Sequence, residues 1–133
     1  MLVPGTLGAG VVEVEDLFAL AGDVVAVDEA LFDAATAVAG CMPGMIAFIV
    51  EAYAAAAVAH GLGEDVAMQL AVSGVHGAAA IVAREGDAAA VIAAAATPGG
   101  MTAAAVEKLD ERGLALTIND AVAAAIARAK ELA

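Results

Sequence analysis

The chain has 133 residues, which is enough for one domain with a modest core and too few for two full domains. Hydrophobic residues make up 63% of the chain but aromatic residues only 3%, so its apolar content is mostly alanine and valine. The net charge is −12 and the first basic residue is Arg84, which excludes nucleic acid as a partner because no basic patch is available to neutralise a phosphate backbone.

The first 28 residues carry the weakest helix signals. Pro4 and the glycines within residues 5–10 predict a loop. A short helix is predicted at Val14–Ala21, followed by a short extended piece at Val24–Val27. We therefore treat residues 1–28 as a lead-in segment to the main domain.

From residue 29 to residue 133 the chain predicts one all-α helical bundle. Pro43 suits the first turn of a helix, and His60-Gly61 is typical of a helix end with a C-terminal glycine. Turn signals and capping residues divide this part into six predicted helices: Glu29–Ala39, Pro43–His60, Glu64–Arg84, Asp87–Ala95, Met101–Arg112 and Leu114–Leu132.

The small size of the apolar side chains bears on assembly. Alanine is the best helix former, but each alanine buries little area, so a lone bundle of this length is marginally stable. Burial across a subunit interface supplies the missing area. The composition therefore favours an oligomer over a monomer.

Three long uncharged runs, residues 34–50, 66–83 and 88–106, raise the question of a membrane. Glycine, proline and polar residues interrupt each run, and alanine is barely favourable in lipid. Met1 is not followed by the basic start of a signal peptide, and the single cysteine, Cys41, fits a reducing compartment. We predict a soluble, cytoplasmic protein with no membrane contact.

The sequence offers little for a cofactor or a metal. The one glycine-rich candidate, residues 5–10, has the wrong spacing for a dinucleotide site, and the sequence shows no useful strand before it and no strand–helix–strand unit after it. No set of histidine, cysteine and carboxylate residues has convincing metal-ligand spacing. We expect this chain alone to bind neither a dinucleotide cofactor nor a metal ion.

The strongest local feature is the segment from Thr97 to Thr102, which lies between alanine-rich helices and contains Pro98, Gly99, Gly100 and Met101. Glycines let the backbone approach a ligand closely, and the following helix directs free N–H groups and its positive end at the segment. A small carboxylate is the expected ligand, with Thr97 and Thr102 adding hydroxyl groups. The alternative is a plain turn with a threonine cap.

This segment resembles the Ser-Pro-Gly-Gly-Thr/Ala-Thr stretch of pyrroline-5-carboxylate reductases, and other stretches of the chain match the C-terminal domain of the same family. The matching stretches are Asp28-Glu29, Ala34 to Gly40, Pro43, Glu51-Ala52, Gly61-Leu62, Ala67, Gly77-Ala78-Ala79, Leu109 to Gly113, Ala121-Val122 and Arg128 to Leu132. The resemblance covers nearly the whole chain, and residues 3–11 look like a shortened end of the family's dinucleotide domain.

The resemblance implies an interlocked homodimer of helices whose substrate pocket lies near the dimer interface. It implies that Thr97, Gly99, Gly100, Met101 and Thr102 bind a small carboxylate or cyclic imine, with Thr102 as the threonine that hydrogen-bonds the substrate. The nicotinamide comes from the dinucleotide domain in this family. A separate dinucleotide-binding protein is therefore a possible second partner.

The departures from the family pattern are on the cofactor side. The family's Ser-Gly-Ser-Gly-Pro-Ala is replaced by residues 39–44, which include Cys41. Gly5 stands at the position of the nicotinamide-side asparagine, and His76 at the position of a leucine or similar residue.

Three residues are candidates for catalysis. Cys41 precedes a predicted helix N-terminus and is either a nucleophile or a small buried replacement for serine. His76 is either an acid/base group or a core or interface histidine with one hydrogen bond. Glu51 is the only charge between Asp33 and Glu64, so we expect it to be partly buried, either as an acid/base group or satisfied by structural partners.

Two classes of function follow. The first is a cofactor-independent enzyme acting on a small imine or amino-acid carboxylate by cyclisation, dehydration, hydrolysis or isomerisation, which needs only an anchor and acid/base groups. The alternative is a non-catalytic dimerisation or ligand-binding module, or the C-terminal part of a reductase that needs a separate nucleotide-binding chain.

Overall fold

A computed structural model describes residues 2–4, 12–20 and 22–132. Helices dominate this part of the chain, which confirms the all-α prediction. In chain order the elements are β1 (Leu2–Pro4), α1 (Val12–Ala19), β2 (Val25–Val27), a 3-10 helix (Glu29–Leu31), α2 (Phe32–Ala39), α3 (Met42–Ala59), α4 (Glu64–Glu85), α5 (Ala88–Ala95), α6 (Met101–Glu111) and α7 (Leu114–Leu132).

One structural unit comprises residues 1–43 together with residues 119–133. In it β1 and β2 pair in parallel, with Leu2 opposite Val25 and Pro4 opposite Val27, and α1 lies between them in sequence. The prediction was that no useful strand precedes residues 5–10 and that no strand–helix–strand unit follows them. A strand of three residues, β1, does precede them in sequence, and β2 falls within the extended piece predicted at Val24–Val27. Three-residue strands are too short to show an alternating pattern, so the pairing of β1 with β2 could not be predicted from sequence. The glycine-rich residues 5–10, including Gly5, lie outside the described residues.

The second unit, Gly44–Ile118, contains most of α3 and all of α4, α5 and α6. Helix α3 ends where the His60-Gly61 signal predicts. The Leu62 N–H donates to the Ala57 carbonyl over 3.1 Å and the Gly61 N–H to the Val58 carbonyl over 2.9 Å, while Gly61 has a φ of +98°. This pair of bonds is a Schellman motif, which satisfies carbonyls that the helix end leaves without partners.

Helices α4 and α5 pack against each other across a two-residue connection. Gly86 ends α4 with a φ of +71° and donates its N–H to the Val82 carbonyl over 2.9 Å. Asp87 then caps α5, because its carboxylate accepts the N–H groups of Ala89 at 2.9 Å and Ala90 at 3.1 Å. Asp87 precedes α5, although the predicted helix included it.

Very few residues are buried in the part of the chain that the structure describes. They are Ala37, Ala54 and Ala67, which expose 3%, 6% and 1% of their surface, and no large side chain among the described residues is fully buried. Alanine burial alone cannot balance the conformational entropy lost on folding a chain of this length. The helices therefore require a further apolar surface.

Two helical segments, Glu29–Ala59 and Glu64–Glu85, are long and apolar enough to cross a membrane by length and composition. This is weak evidence for a membrane protein, because core helices of soluble proteins meet the same criteria. The first segment is also not one continuous helix, since α2 ends at Ala39 and α3 begins at Met42.

Candidate functional site

The segment predicted to bind a carboxylate forms a tight turn that leads directly into α6. The Gly100 N–H donates to the Thr97 carbonyl over 2.9 Å, and Gly99 has a φ of +74°. Proline at the second position and a glycine of positive φ at the third are features of a type II turn, which explains the Pro98-Gly99 pair. A side chain at Gly100 would place its Cβ 2.6 Å from the Thr97 Oγ1 and 3.0 Å from the Thr97 carbonyl oxygen.

The N-terminus of α6 has backbone donors without a side-chain cap. Gly100 is the N-cap residue and has an extended backbone, with φ −80° and ψ 164°, and as a glycine it offers no capping group. The first helical bond at this end runs from the Ala104 N–H to the Gly100 carbonyl over 3.2 Å. The N–H groups of Met101, Thr102 and Ala103 precede that bond and point along the helix axis toward the turn.

The charge at this end of α6 also suits an anion. Helix α4 starts with Glu64 and Asp65 and α5 is capped by Asp87, so acids already occupy both of those N-termini. No acidic residue lies in the first turn of α6, although the chain has 17 acidic residues. The positive end of the α6 dipole is therefore available to a ligand.

The turn is open to its surroundings on this chain. Thr97, Gly99 and Thr102 are exposed, Gly100 is half-buried, and Met101 exposes 93% of its surface. Backbone donors and two hydroxyl groups can hold a carboxylate here. An apolar part of a ligand needs a further surface to cover it.

The three predicted catalytic residues are divided between the two structural units. Cys41 directly precedes α3, as predicted, but belongs to the first unit, whereas Glu51 and His76 belong to the second. All three are exposed on the single chain, so the burial predicted for Cys41 and Glu51 stays a prediction that depends on what covers them. Uncharged sequence around Glu51 reflects an exposed apolar surface instead of a core.

Glu51 lines an open groove of about 360 Å³ between α3 and α4. Its other lining residues are Ala54, Ala55, Val58, Glu64 and Met68, and neither His76 nor the turn contributes to it. His76 is exposed within α4. Their acid/base roles therefore stay predictions, and no group of three or more metal-ligating side chains occurs among the described residues.

Sequence reasoning missed an apolar groove of about 330 Å³ in the second unit, formed by α3, α6 and the start of α7. It is lined by Phe48, Ile49, Ala52, Tyr53, Ala56, Leu109 and Leu114. Phe48 exposes 73% of its surface and Tyr53 55%. One sequence feature could have indicated this groove: two of the chain's four aromatic residues lie five positions apart on α3.

Comparison with known proteins identifies what this chain is similar to. Residues 29–132 match the family described as pyrroline-5-carboxylate reductase dimerisation. A pyrroline-5-carboxylate reductase of Arabidopsis thaliana is 38% identical over 96% of this chain and 48% of its own length. One from Synechocystis is 35% identical over 97% of this chain and 54% of its own length.

Solved structures give the same result. A pyrroline-5-carboxylate reductase from Coxiella burnetii superimposes with a TM-score of 0.90 at 29% identity, covering 99% of this chain and 50% of that one. A Plasmodium falciparum pyrroline carboxylate reductase with NADP bound gives a TM-score of 0.83 at 25% identity, covering 95% and 49%. The chain thus spans about half the length of the relatives that it matches.

These comparisons decide between the hypotheses drawn from sequence. They support the resemblance, and they offer no support for a cofactor-independent enzyme acting on imines. The alternative, the C-terminal part of a reductase, agrees better with the family match and with its coverage.

Proposed function

Because the chain belongs to the pyrroline-5-carboxylate reductase dimerisation family, we propose that it is the dimer-forming, substrate-binding part of such a reductase. Its turn at residues 97–102 binds the carboxylate of a cyclic imine, and its helices join two copies. The uncapped α6 N-terminus behind that turn is the observation that carries the proposal. A dinucleotide-binding region outside residues 29–132, in the same polypeptide or in another, supplies the nucleotide.

The carboxylate site follows from the geometry of the turn. A carboxylate placed before α6 accepts hydrogen bonds from the backbone N–H groups of Met101 and Thr102 and from the Thr102 hydroxyl. Gly99 and Gly100 keep side chains away from this approach. The site therefore fixes one end of the substrate and leaves its ring free to face the nucleotide.

The chemistry that this arrangement serves is reduction of a C=N bond. When bound, a reduced nicotinamide nucleotide would supply the hydride for the imine carbon, and the ring nitrogen would take up a proton to give a cyclic amine carboxylate. Holding the carboxylate fixes the distance and angle of the imine carbon relative to the hydride. His76, Glu51 and Cys41 are the candidate residues for supplying or relaying the proton.

Self-association follows from the exposed apolar side chains. On α4, Val66, Met68, Leu70, Val72 and Ile81 expose between 42% and 56% of their surface. Val66, Leu70 and Ile81 share one face of the helix and together equal about one and a half fully exposed side chains, so burying that face contributes about 2–4 kcal/mol per copy. We propose that a second copy covers this surface, so that the protein is a soluble cytoplasmic homodimer and the helices do not enter a membrane.

Titration calorimetry with proline, which carries the same carboxylate as the imine, tests the site. Replacing Thr102 with Val should weaken proline binding by about 1–2 kcal/mol, or roughly 5–30-fold, because one hydrogen bond to a charged group is lost. Thr117→Val is the matched control, since the Thr117 hydroxyl donates to the Gly113 carbonyl of its own helix start over 3.2 Å. Equal affinity for wild type and Thr102→Val would move the site elsewhere.

Two further measurements test the rest of the proposal. Mass spectrometry should show the imine consumed only when NADPH and a dinucleotide-binding region are both present. Consumption by this chain without nucleotide would restore the cofactor-independent hypothesis. Sedimentation should show a dimer at low micromolar concentration, and a stable folded monomer there would contradict self-association.

A further inference from the structure

We propose that Met101 is a specificity-determining residue, whose side chain holds one side of the ligand's ring and selects a cyclic imine or amine carboxylate over an acyclic one. Met101 can do so only if a carboxylate binds before α6, so this role rests on the proposed function. It adds what the turn itself lacks, which is an apolar contact for the part of the ligand beyond the carboxylate.

Met101 has the highest exposure of the large apolar residues that the structure describes. It exposes 93% of its surface, whereas Leu109 on the same helix exposes 40%. The Met101 side chain therefore contributes almost nothing to packing within this chain. Its atoms are free to contact a ligand.

The position of Met101 on α6 directs its side chain toward the carboxylate site. Met101 is the first residue of the helix and follows the N-cap residue Gly100. Side chains of a helix lean toward its N-terminus, so that of Met101 projects past the helix end, on the side of the turn. Its own N–H is one of the donors proposed to hold the carboxylate. A ring joined to that carboxylate lies within reach of the Met101 thioether, and its other side stays open to the nucleotide.

No other residue of this segment offers the same contact. Apart from Met101, the sequence between Ile92 and Val106 contains only alanine, glycine, threonine and Pro98. A methionine side chain is unbranched, flexible and polarisable, so it adapts to the curved surface of a small ring. A polar chain in place of the ring would lose hydrogen bonds to water against the thioether and gain no partner. Met101 therefore favours ligands with a ring.

Two ligands separate a contact between Met101 and the ring from an effect on the carboxylate. Proline and N-methylglycine both carry a secondary amine beside a carboxylate, but only proline has a ring. NMR titration measures both dissociation constants even where binding is weak. We expect Met101→Ala to weaken proline binding about fivefold and to change N-methylglycine binding less than about twofold. Met101→Leu keeps the apolar volume and should bind proline within about threefold of wild type.

Met42→Ala is the matched control, because Met42 is also the first residue of a helix, α3, and is also exposed, at 40% of its surface. It should bind both ligands within about twofold of wild type. Thermal unfolding checks that Met101→Ala is folded, as we expect for a change at an exposed residue.

The role of Met101 is overturned by either of two results. An equal loss of affinity for both ligands would mean that Met101→Ala disturbs the carboxylate donors or the fold and not a contact with the ring. An unchanged affinity for proline would mean that the Met101 side chain makes no such contact. Failure of the wild-type chain to bind either ligand would instead refute the proposed carboxylate site, which distinguishes the two failures.

Discussion

Two adjacent glycines in the turn before α6 provide a sharp test of the carboxylate site, because their constraints differ in kind. Gly99 has a φ of +74°, and a Cβ added there meets no atom within 4 Å. Gly100 has an ordinary φ of −80°, but its Cβ would lie 2.6 Å from the Thr97 Oγ1 and 3.0 Å from the Thr97 carbonyl oxygen. Gly99 is thus constrained by backbone conformation and Gly100 by space.

The magnitudes follow from these two constraints. Gly99→Ala should cost about 1–2 kcal/mol, the penalty for an L-residue in the left-handed region, with no added steric cost. Gly100→Ala should cost about 1–3 kcal/mol, because the new methyl group must displace both oxygens of Thr97. One of those oxygens accepts the 2.9 Å bond that closes the turn, so Gly100→Ala also shifts the N–H groups that face the ligand.

Thermal unfolding and proline calorimetry measure the two effects separately. We expect Gly100→Ala to lose about tenfold or more in proline affinity, and Gly99→Ala to lose less. Gly113→Ala is the control for backbone strain away from the site, since Gly113 has a φ of +70° and its Cβ would lie 3.9 Å from Leu116. It should lose stability much as Gly99→Ala does and bind proline as wild type does.

Two results would refute this reasoning. If both turn variants bind proline as tightly as wild type, the turn does not hold the carboxylate. If Gly99→Ala weakens proline binding more than Gly100→Ala does, the backbone conformation at Gly99 controls the site and the steric contact at Gly100 does not. Adding Thr97→Ala to Gly100→Ala removes the closer of the two oxygen contacts and should recover part of the lost stability.

Further predictions concern the cap, the charge and the candidate acid/base groups. Asp87→Ala should lower the free energy of unfolding in urea by about 1 kcal/mol, because two N–H groups at the start of α5 lose their acceptor. The control Asp120→Ala changes an exposed residue in the middle of a helix and should lower it by less than about 0.5 kcal/mol. Raising salt from about 0.05 to 0.5 M should tighten the dimer in sedimentation, since each copy carries a net charge of −12; weakening would contradict this. At least one of three variants should lower turnover about 10²–10⁴-fold while proline affinity stays intact: His76→Ala, Glu51→Gln or Cys41→Ser. Near-wild-type turnover in all three would exclude acid/base roles for these residues.

The helix boundaries were predictable because local chemistry sets them. Gly61 and Gly86 take positive φ values at the ends of α3 and α4, and Asp87 caps α5, so turn and cap signals located these ends to within about two residues. Pro43 falls at the second position of α3 instead of the first. Both positions belong to the first turn, where the missing N–H costs no helical bond.

The strand β2 lies within the extended piece predicted at Val24–Val27, but its pairing with β1 was not predictable, for a physical reason. Three-residue strands such as β1 and β2 are defined by their pairing with each other, and pairing of residues 2–4 with residues 25–27 is a non-local property. No window of sequence around Pro4 contains that information.

The turn at residues 97–102 was predictable, but its surroundings were not. Proline and two glycines determine a local backbone, and the structure shows that backbone at Thr97–Gly100. Whether Glu51 or His76 is covered depends on what packs over them, and uncharged neighbours in sequence do not distinguish a core from an interface. This is why the sequence did not determine the burial of Glu51, which is exposed on the single chain.

The same ambiguity connects the sparse core to the proposed function. With only Ala37, Ala54 and Ala67 buried among the described residues, most apolar side chains of these helices are still available to another surface. A dimer that uses this surface stabilises the fold and also fixes the helices that carry the carboxylate turn, because α5 and α6 flank that turn directly. Under the proposed function, helix association and carboxylate binding use the same helices, so a variant that weakens association should be measured for proline affinity as well as for assembly.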